Sequence, residues 1–115
     1  MSRLTPESSE LVAKRFAALA DPTRLRLLDL MHARGEAAVG ELAEGVGATY
    51  ANVSKHLSVL LAQRMVTRRR EGSRALYSIA DPALVRICDE VCAGIRDQLD
   101  ALAALIDEAA TVTEP

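Results

Sequence analysis

The sequence predicts one mainly helical domain with a small β-hairpin, an α+β fold whose elements follow the order ααααββα. Of the 115 residues, 50% are hydrophobic but only 3% are aromatic and Trp is absent, which argues against an all-β sandwich. After Met65 the apolar period falls from 3.6 to 2, which indicates a change from helix to strand. Three dipeptides place an N-cap side chain before a proline, a pattern that opens helices: Thr5-Pro6, Asp21-Pro22 and Asp81-Pro82.

Two helices are expected before residue 36. The first, residues 5–19, has one apolar side, formed by Leu11, Val12, Phe16 and Leu19. The second begins at Pro22 and ends at Gly35. Its sequence "PTRLRLLDLMHA" predicts three buried side chains, those of Leu25, Leu28 and Met31.

Residues 39–63 predict two more helices joined by a tight turn. The stretch "VGELAEGVG" indicates a short helix closed by glycine, and Thr49 is the N-cap of the next helix, which ends near Gln63. The fourth helix is expected to bury Val53, Leu57, Leu60 and Leu61. Its polar side carries Ala51, Lys55 and Ser58, flanked by Asn52 and Ser54. This is the spacing of a helix-turn-helix.

Residues 65–79 predict a hairpin, in which "MVTRRR" and "RALYSI" form strands around "EGS". Gly72 can supply the positive φ that such a turn requires. Residues 82–109 then predict a long helix, and residues 110–115 a frayed tail. Apolar side chains recur along this helix at spacings of four and three, forming a continuous seam of Leu84, Cys88, Val91, Ile95, Leu99, Leu102 and Ile106.

The seam and the apolar side of the first helix predict a homodimer, because a monomer would leave both exposed. The interface residues that we expect are Val12, Phe16, Leu84, Cys88, Val91, Ile95, Leu99 and Leu102.

The charge distribution points to a polyanionic partner. The net charge is −2, yet residues 50–74 hold six basic residues against Glu71 alone, a local charge of +5. A polar helix of this length fits the DNA major groove, and a basic ribbon beside it can reach the DNA backbone or minor groove. These pieces together form a winged helix-turn-helix. The alternative is that the arginines only solvate a surface hairpin.

Three stretches resemble the ArsR/SmtB family of bacterial metal- and stress-sensing repressors: "ALADPTRLRLLDLM", "VSKHLSVLLAQRMV" and "RREGSRALYSI". The resemblance covers roughly residues 10–100. It implies a homodimer joined through its first and last helices. Such a dimer would bind an imperfect palindrome in double-stranded DNA and block transcription until an effector releases it.

Candidate DNA contacts lie on the fourth helix and the hairpin. Asn52 can pair bidentately with adenine, Lys55 can reach guanine or phosphate, and Ser54 can donate to phosphate. Tyr50 stands where family members often carry a base-reading Gln, which leaves the operator sequence open. We expect His56 to pack or to bond phosphate rather than bind a metal. The full set is Thr49, Tyr50, Ala51, Asn52, Ser54, Lys55, His56, Ser58, Arg68, Arg70 and Arg74.

The effector site is less clear from the sequence. Arsenic-type relatives place two thiolates where this chain has Ala38 and Gly40. Zinc-type relatives place two carboxylates and two imidazoles at positions held here by Asp81, Ala83, Gly94 and Asp97, so both imidazoles are missing and zinc or nickel would be poorly held.

Cys88 and Cys92 remain, four residues apart on one side of the last helix. They are either apolar fillers of a helix interface or a sensor of soft metals or oxidants. A third alternative is a divalent metal, such as nickel or zinc, bound elsewhere through Asp81, Asp97 or His32.

Two cysteines and no secretory signal favour the cytoplasm, and no segment is apolar enough to predict a membrane role. Three other functions stay open at this stage. The chain could be a transcriptional activator with the same fold, a winged-helix module that binds only protein, or a thiol enzyme that uses Cys88 and Cys92. No His lies near the two cysteines in the sequence, which argues against the enzyme.

Overall fold

The computed structural model describes the backbone of residues 3–113 and the side chains of residues 3–110. The elements in this part of the chain are α1 (Pro6–Leu19), α2 (Pro22–Arg34), β1 (Ala37–Ala38), α3 (Val39–Val46), α4 (Tyr50–Ala62), β2 (Val66–Glu71), β3 (Arg74–Ile79) and α5 (Ala83–Thr113). The mainly helical α+β prediction is confirmed. The chain forms two compact units, and the boundary falls between Pro82 and Ala83.

The structure contains a strand, β1, that the predicted order ααααββα does not include. Its two alanines pair antiparallel with β3, Ala37 opposite Tyr77 and Ala38 opposite Leu76. The result is a three-stranded antiparallel sheet in the order β1-β3-β2. Two alanines carry no local strand signal, so the strand depends on a partner that lies far along the chain.

Side-chain caps begin the first two helices as the proline dipeptides predict. Thr5 Oγ1 accepts from the Ser8 N–H at 3.1 Å, and Ser8 Oγ accepts from the Thr5 N–H at 2.8 Å, which completes a capping box. Asp21 Oδ1 accepts from the Arg24 N–H at 3.0 Å at the start of α2. Gly35, with φ +81°, ends α2.

The buried side of α2 differs from the predicted one. The helix buries Leu27, Leu28 and Met31, whereas Leu25 is 39% exposed. Helical residues three apart are rotated by about 60°, so the predicted trio spans about 120° of the surface. The centre of the buried side of α2 lies between Leu28 and Met31. This side includes Leu27, and Leu25 is turned towards solvent.

The core positions α4 tightly. Val53, Leu57 and Leu60 are 0% exposed, as the periodicity predicts, but Leu61 is only half-buried. The helix contacts α2, α3 and β2. Buried side chains of these neighbouring elements complete the core, namely Leu27, Met31, Leu42, Val46, Met65 and Val66.

The chain passes from α4 into β2 through a Schellman motif. The Met65 N–H donates to the Leu60 carbonyl and the Arg64 N–H donates to the Leu61 carbonyl, both at 3.0 Å. Arg64 takes the left-handed conformation, with φ +57°, at a position that glycine usually occupies. Because Met65 is buried at once, the start of the hairpin is fixed to the end of α4.

The hairpin has a two-residue loop, Gly72-Ser73, between paired Glu71 and Arg74. Gly72 has φ +63° and Ser73 has a negative φ. This matches a type II′ turn, which favours glycine at the first central position.

The second unit consists of α5, which has 31 residues. It continues to Thr113, beyond the end predicted at residue 109, and the last two residues of the expected frayed tail lie outside the described residues. No helix in residues 3–113 is both long enough and apolar enough to cross a membrane.

Candidate nucleic-acid interface

The exposed side of α4 carries the polar residues that the sequence singles out. Thr49 Oγ1 caps the helix by accepting from the Asn52 N–H at 3.1 Å. The side chains of Tyr50, Ala51, Asn52, Lys55 and Ser58 are exposed, and Ser54 is half-buried. Ser58 Oγ donates to the Ser54 carbonyl at 3.0 Å, so its hydroxyl hydrogen is already used. Asn52 and Lys55 therefore offer the strongest free hydrogen-bonding groups of this surface.

His56 does not join this surface. Its Nδ1 atom lies 3.1 Å from Arg24 Nη1 and 3.9 Å from Asp21 Oδ1, and its side chain is 19% exposed. Because a guanidinium only donates, His56 Nδ1 accepts in this contact. The ring therefore ties α4 to the start of α2, in agreement with the packing role expected of His56, while its contact with DNA stays a prediction.

Arg24 extends the same network to the end of α1. Its Nε atom donates to the Ala18 carbonyl at 2.6 Å and its Nη2 atom to the Ala17 carbonyl at 3.5 Å. The hydrogen bond from the Arg24 N–H is the main cause that lowers the pKa of Asp21 below its ordinary value. Sequence reasoning missed Arg24, because no local pattern shows a contact across 32 residues.

The hairpin arginines divide into paired and free groups. Arg69 makes two hydrogen bonds of 2.6 Å to Glu36 and one of 2.9 Å to Glu71. Arg74 Nη2 lies 2.8 Å from Glu41 Oε1. Arg74 is thus engaged within the chain, and its contact with DNA stays a prediction.

Arg68 and Arg70 are exposed and have no ion-pair partner among the described residues. Side chains alternate along a strand, so both lie on the face of β2 opposite to Arg69. They are the hairpin cations that remain available to an external anion.

Hydrogen bonds and ion pairs of this region lower the pKa of two glutamates. The Arg69 hydrogen bonds hold the pKa of Glu36 below its ordinary value. The pKa of Glu41 is lowered first by the Ala38 N–H, which donates to Glu41 Oε1 at 2.9 Å, and then by Arg74 and Arg34. Hydrogen bonds to Glu36 and then to Glu71 raise the pKa of the Arg69 guanidinium. Both ion pairs are therefore fully charged at neutral pH.

Helix α4 and the hairpin border a common opening. An open cleft of about 550 Å³ is lined by Tyr50 at the start of α4, by Glu41 and Glu44 of α3, and by Ser73 and Arg74 of the hairpin. The start of α4 and the tip of the hairpin therefore border one cleft.

Apolar side chains are exposed on both predicted dimer helices. On α1 they include Val12 and Phe16, and on α5 they are Ile87, Val91, Ile95, Leu99, Leu102, Leu105 and Ile106. Leu84 is an exception, because it is 3% exposed in the single chain. It could bury little further area in a dimer, and its place in the interface stays a prediction.

The candidate effector residues remain scattered in one protomer. Cys88 is half-buried and Cys92 is exposed on α5. His32 and Asp97 are exposed, and Asp81 Oδ2 lies 3.9 Å from Arg15 Nη1. Within residues 3–113, no three His, Cys, Asp or Glu side chains come together in a group that could hold a metal ion.

Comparisons with known proteins agree with this architecture. A helix-turn-helix domain family model matches residues 19–69. Nodulation protein NolR of Rhizobium meliloti is 36% identical over 84% of this chain and 78% of its own length. The transcriptional repressor SmtB homolog of a Synechocystis strain is 39% identical over 74% of this chain and 64% of its own length.

Among solved structures, one similar protein is the homodimeric winged helix-turn-helix DNA-binding domain of a possible ArsR-family transcriptional regulator from Mycobacterium bovis. It has a TM-score of 0.73 and 32% identity, and the match covers 88% of this chain and 95% of that one.

Glu41→Gln should destabilise the protein near neutral pH but not in acid. The folded chain lowers the pKa of Glu41, so the ionised carboxylate stabilises the fold above its unfolded pKa of 4.5. That contribution disappears as the pH falls through the folded pKa. Urea unfolding at several pH values should show a gap in the free energy of unfolding between wild type and variant that is full above pH 4.5 and closes as the pH falls through the lowered pKa of folded Glu41.

Glu44→Gln is the matched control, since Glu44 is an exposed carboxylate on the same helix. It should produce no such pH-dependent gap. A Glu41→Gln deficit that stays constant into acid would contradict the assignment.

Proposed function

The chain belongs to the ArsR/SmtB family of winged helix-turn-helix transcriptional regulators, and on that premise we propose that it represses transcription as a homodimer on palindromic DNA. The observation that carries this proposal is that the polar side of α4 exposes Lys55 and the hairpin exposes Arg68 and Arg70, none of which has an ion-pair partner among the described residues. We further propose that the protein acts in the cytoplasm, where its DNA partner would lie.

In the proposed complex, α4 enters the major groove with Asn52 and Lys55 towards the base edges. Asn can pair with adenine N6 and N7, and Lys can donate to guanine O6 and N7. Thr49, Tyr50, Ala51 and Ser54, which lie in or next to the first turns of the helix, would complete the contact. Arg68 and Arg70 would meet phosphates, which strengthens binding to any sequence without selecting among bases.

The proposed dimer covers the apolar side chains of α1 and α5. Within the part of α5 whose side chains the structure describes, seven large apolar residues are exposed in the single chain. Exposed patches of several hundred Å² are unusual in monomers. A two-fold axis would present two copies of α4 to successive major grooves, about 34 Å apart or a multiple of that distance.

For the effector, we propose that the thiols of Cys88 and Cys92 respond to a soft metal or an oxidant. The two thiols project from one side of α5, and Cys92 is exposed. Thiolate is the ligand that soft metals prefer, and a two-fold axis near the seam would double the number of thiols. A divalent metal held by Asp81, Asp97 or His32 is the alternative, and it would need ligands from both subunits.

The proposed function is tested by enriching duplexes from a random-sequence pool with the purified protein. We expect a palindromic sequence to emerge and to lower reporter expression when placed over a promoter. No enrichment would favour the protein-interaction module, and increased expression would favour an activator. The thiol enzyme has no support from the relatives, which are named as regulators.

Asn52→Ala and Lys55→Ala should each weaken binding to the enriched duplex by about 1 to 3 kcal/mol, with little effect on random DNA. Arg68→Gln and Arg70→Gln are the contrasting variants. They should weaken both duplexes and lower the slope of log affinity against log salt by about one per lost phosphate contact. Fluorescence anisotropy across a salt series measures both effects. Equal losses on the two duplexes would reassign Asn52 and Lys55 to backbone contacts.

Leu99→Glu should convert the dimer to a monomer, because Leu99 is 59% exposed on the apolar seam and a carboxylate there would lie in the interface. Leu99→Met keeps the apolar contact and serves as control. Light scattering at micromolar concentration reports the mass. A monomeric wild-type protein would reject the proposed dimer.

Replacing Cys88 and Cys92 together by Ser should leave DNA affinity intact and abolish release by a soft metal or oxidant. If the thiols only pack, the double variant should keep its full response and lose modest stability from burying hydroxyl groups. DNA binding with and without a metal panel and an oxidant separates the two results. A full response would transfer the effector site to Asp81, Asp97 or His32.

A further inference from the structure

One arginine of the hairpin forms an ion pair that reaches across the sheet. Arg69 donates through Nε to Glu36 Oε2 and through Nη2 to Glu36 Oε1, both at 2.6 Å, which is the two-bond geometry that a guanidinium and a carboxylate favour. Glu36 directly precedes β1, and Arg69 lies in β2 at the opposite edge of the sheet. The pair therefore spans the central strand β3.

A second pair ties the hairpin to the same neighbourhood. Arg74, at the start of β3, contacts Glu41 of α3, and Glu41 also accepts from the Ala38 N–H. The hairpin is thus held at two points by carboxylates of residues 36–41. This segment leads into α3, which packs against α4.

The charges around Arg69 argue against a phosphate contact. Arg69 is flanked by Glu36 and Glu71, so the three side chains together carry a charge of −1. A phosphate would have to displace a bidentate carboxylate and approach a second one. Arg68 and Arg70, on the other face of β2, have no such competitor among the described residues.

We propose that the Arg69–Glu36 pair is a clamp that sets the angle of the hairpin against helices α3 and α4. Arg69 thereby positions Arg68 and Arg70, the arginines proposed to bind phosphate, instead of binding DNA itself. This inference rests on the proposed function for its effect on DNA. The clamp itself is a property of the free protein.

The first test measures the free protein. Glu36→Gln keeps the size of a half-buried side chain, Arg69→Gln shortens an exposed one, and both variants should fold with a similar melting temperature. Amide hydrogen exchange should become about fivefold faster in residues 66–79 of each variant, and not in α2 or α4. Unchanged exchange in the hairpin would overturn the clamp, whether or not the protein binds DNA.

The second test measures binding to the enriched duplex across a salt series. Each single variant should lose about fivefold in affinity, and the double variant no more than either, with wild-type salt slopes throughout. Arg68→Gln is the control for a lost phosphate contact, and Glu44→Gln is the control for removal of a negative charge near the surface.

Two results would overturn the positioning role. One is a salt slope for Arg69→Gln that falls by about one, as expected for Arg68→Gln. The other is a Glu36→Gln affinity that equals or exceeds that of wild type, because freeing Arg69 would then assist binding. A wild-type protein that binds neither enriched nor random DNA would reject the proposed function while leaving the exchange result on the clamp intact.

Discussion

The whole proposed interface depends on the burial of one side of α4. Val53, Leu57 and Leu60 are completely buried, so the helix has a single rotational setting about its axis. Shifting the buried side by one residue would turn every side chain by about 100° about the helix axis. Lys55 and Asn52 would then leave the exposed side of α4. The same packing continues through Met65, which fixes the start of the hairpin. The residues proposed to read bases and those proposed to contact the DNA backbone are therefore aligned by apolar packing rather than by polar groups.

Acidic residues shape this basic surface as much as the arginines do. Residues 50–74 carry a charge of +5, but Glu36 and Glu41, from outside that stretch, neutralise two of the arginines. The basic residues of this stretch that have no ion pair among the described residues are Lys55 on α4, Arg64 just after it, and Arg68 and Arg70 on one face of β2. The positive charge is thus confined to particular positions, which explains how a chain with a net charge of −2 can present a DNA-binding surface.

Local patterns predicted the elements, whereas contacts between distant residues escaped them. Thr5, Asp21 and Thr49 cap their helices within three residues, and Gly72 forms its turn from its own conformation, so these features were visible in the sequence. The strand β1 was not visible, because Ala37 and Ala38 become a strand only by pairing with β3. The pairs Arg24–His56 and Arg69–Glu36 join residues 32 and 33 positions apart, and no periodicity encodes them. As a result, the sequence indicated the polar side of α4 and the hairpin but not the internal partners of His56 and Arg74.

Arg24 connects the two tasks of the proposed repressor. Its guanidinium donates to carbonyls in the last turn of α1 and to the ring of His56 on α4. In the proposed dimer α1 belongs to the subunit interface and α4 to the DNA interface. A displacement of the end of α1 relative to α4 must break at least one of these three hydrogen bonds, and a partly buried guanidinium without its acceptors is costly. The favourable response is for α1 and α4 to move together, so a change at the subunit interface would alter the spacing of the two recognition helices directly.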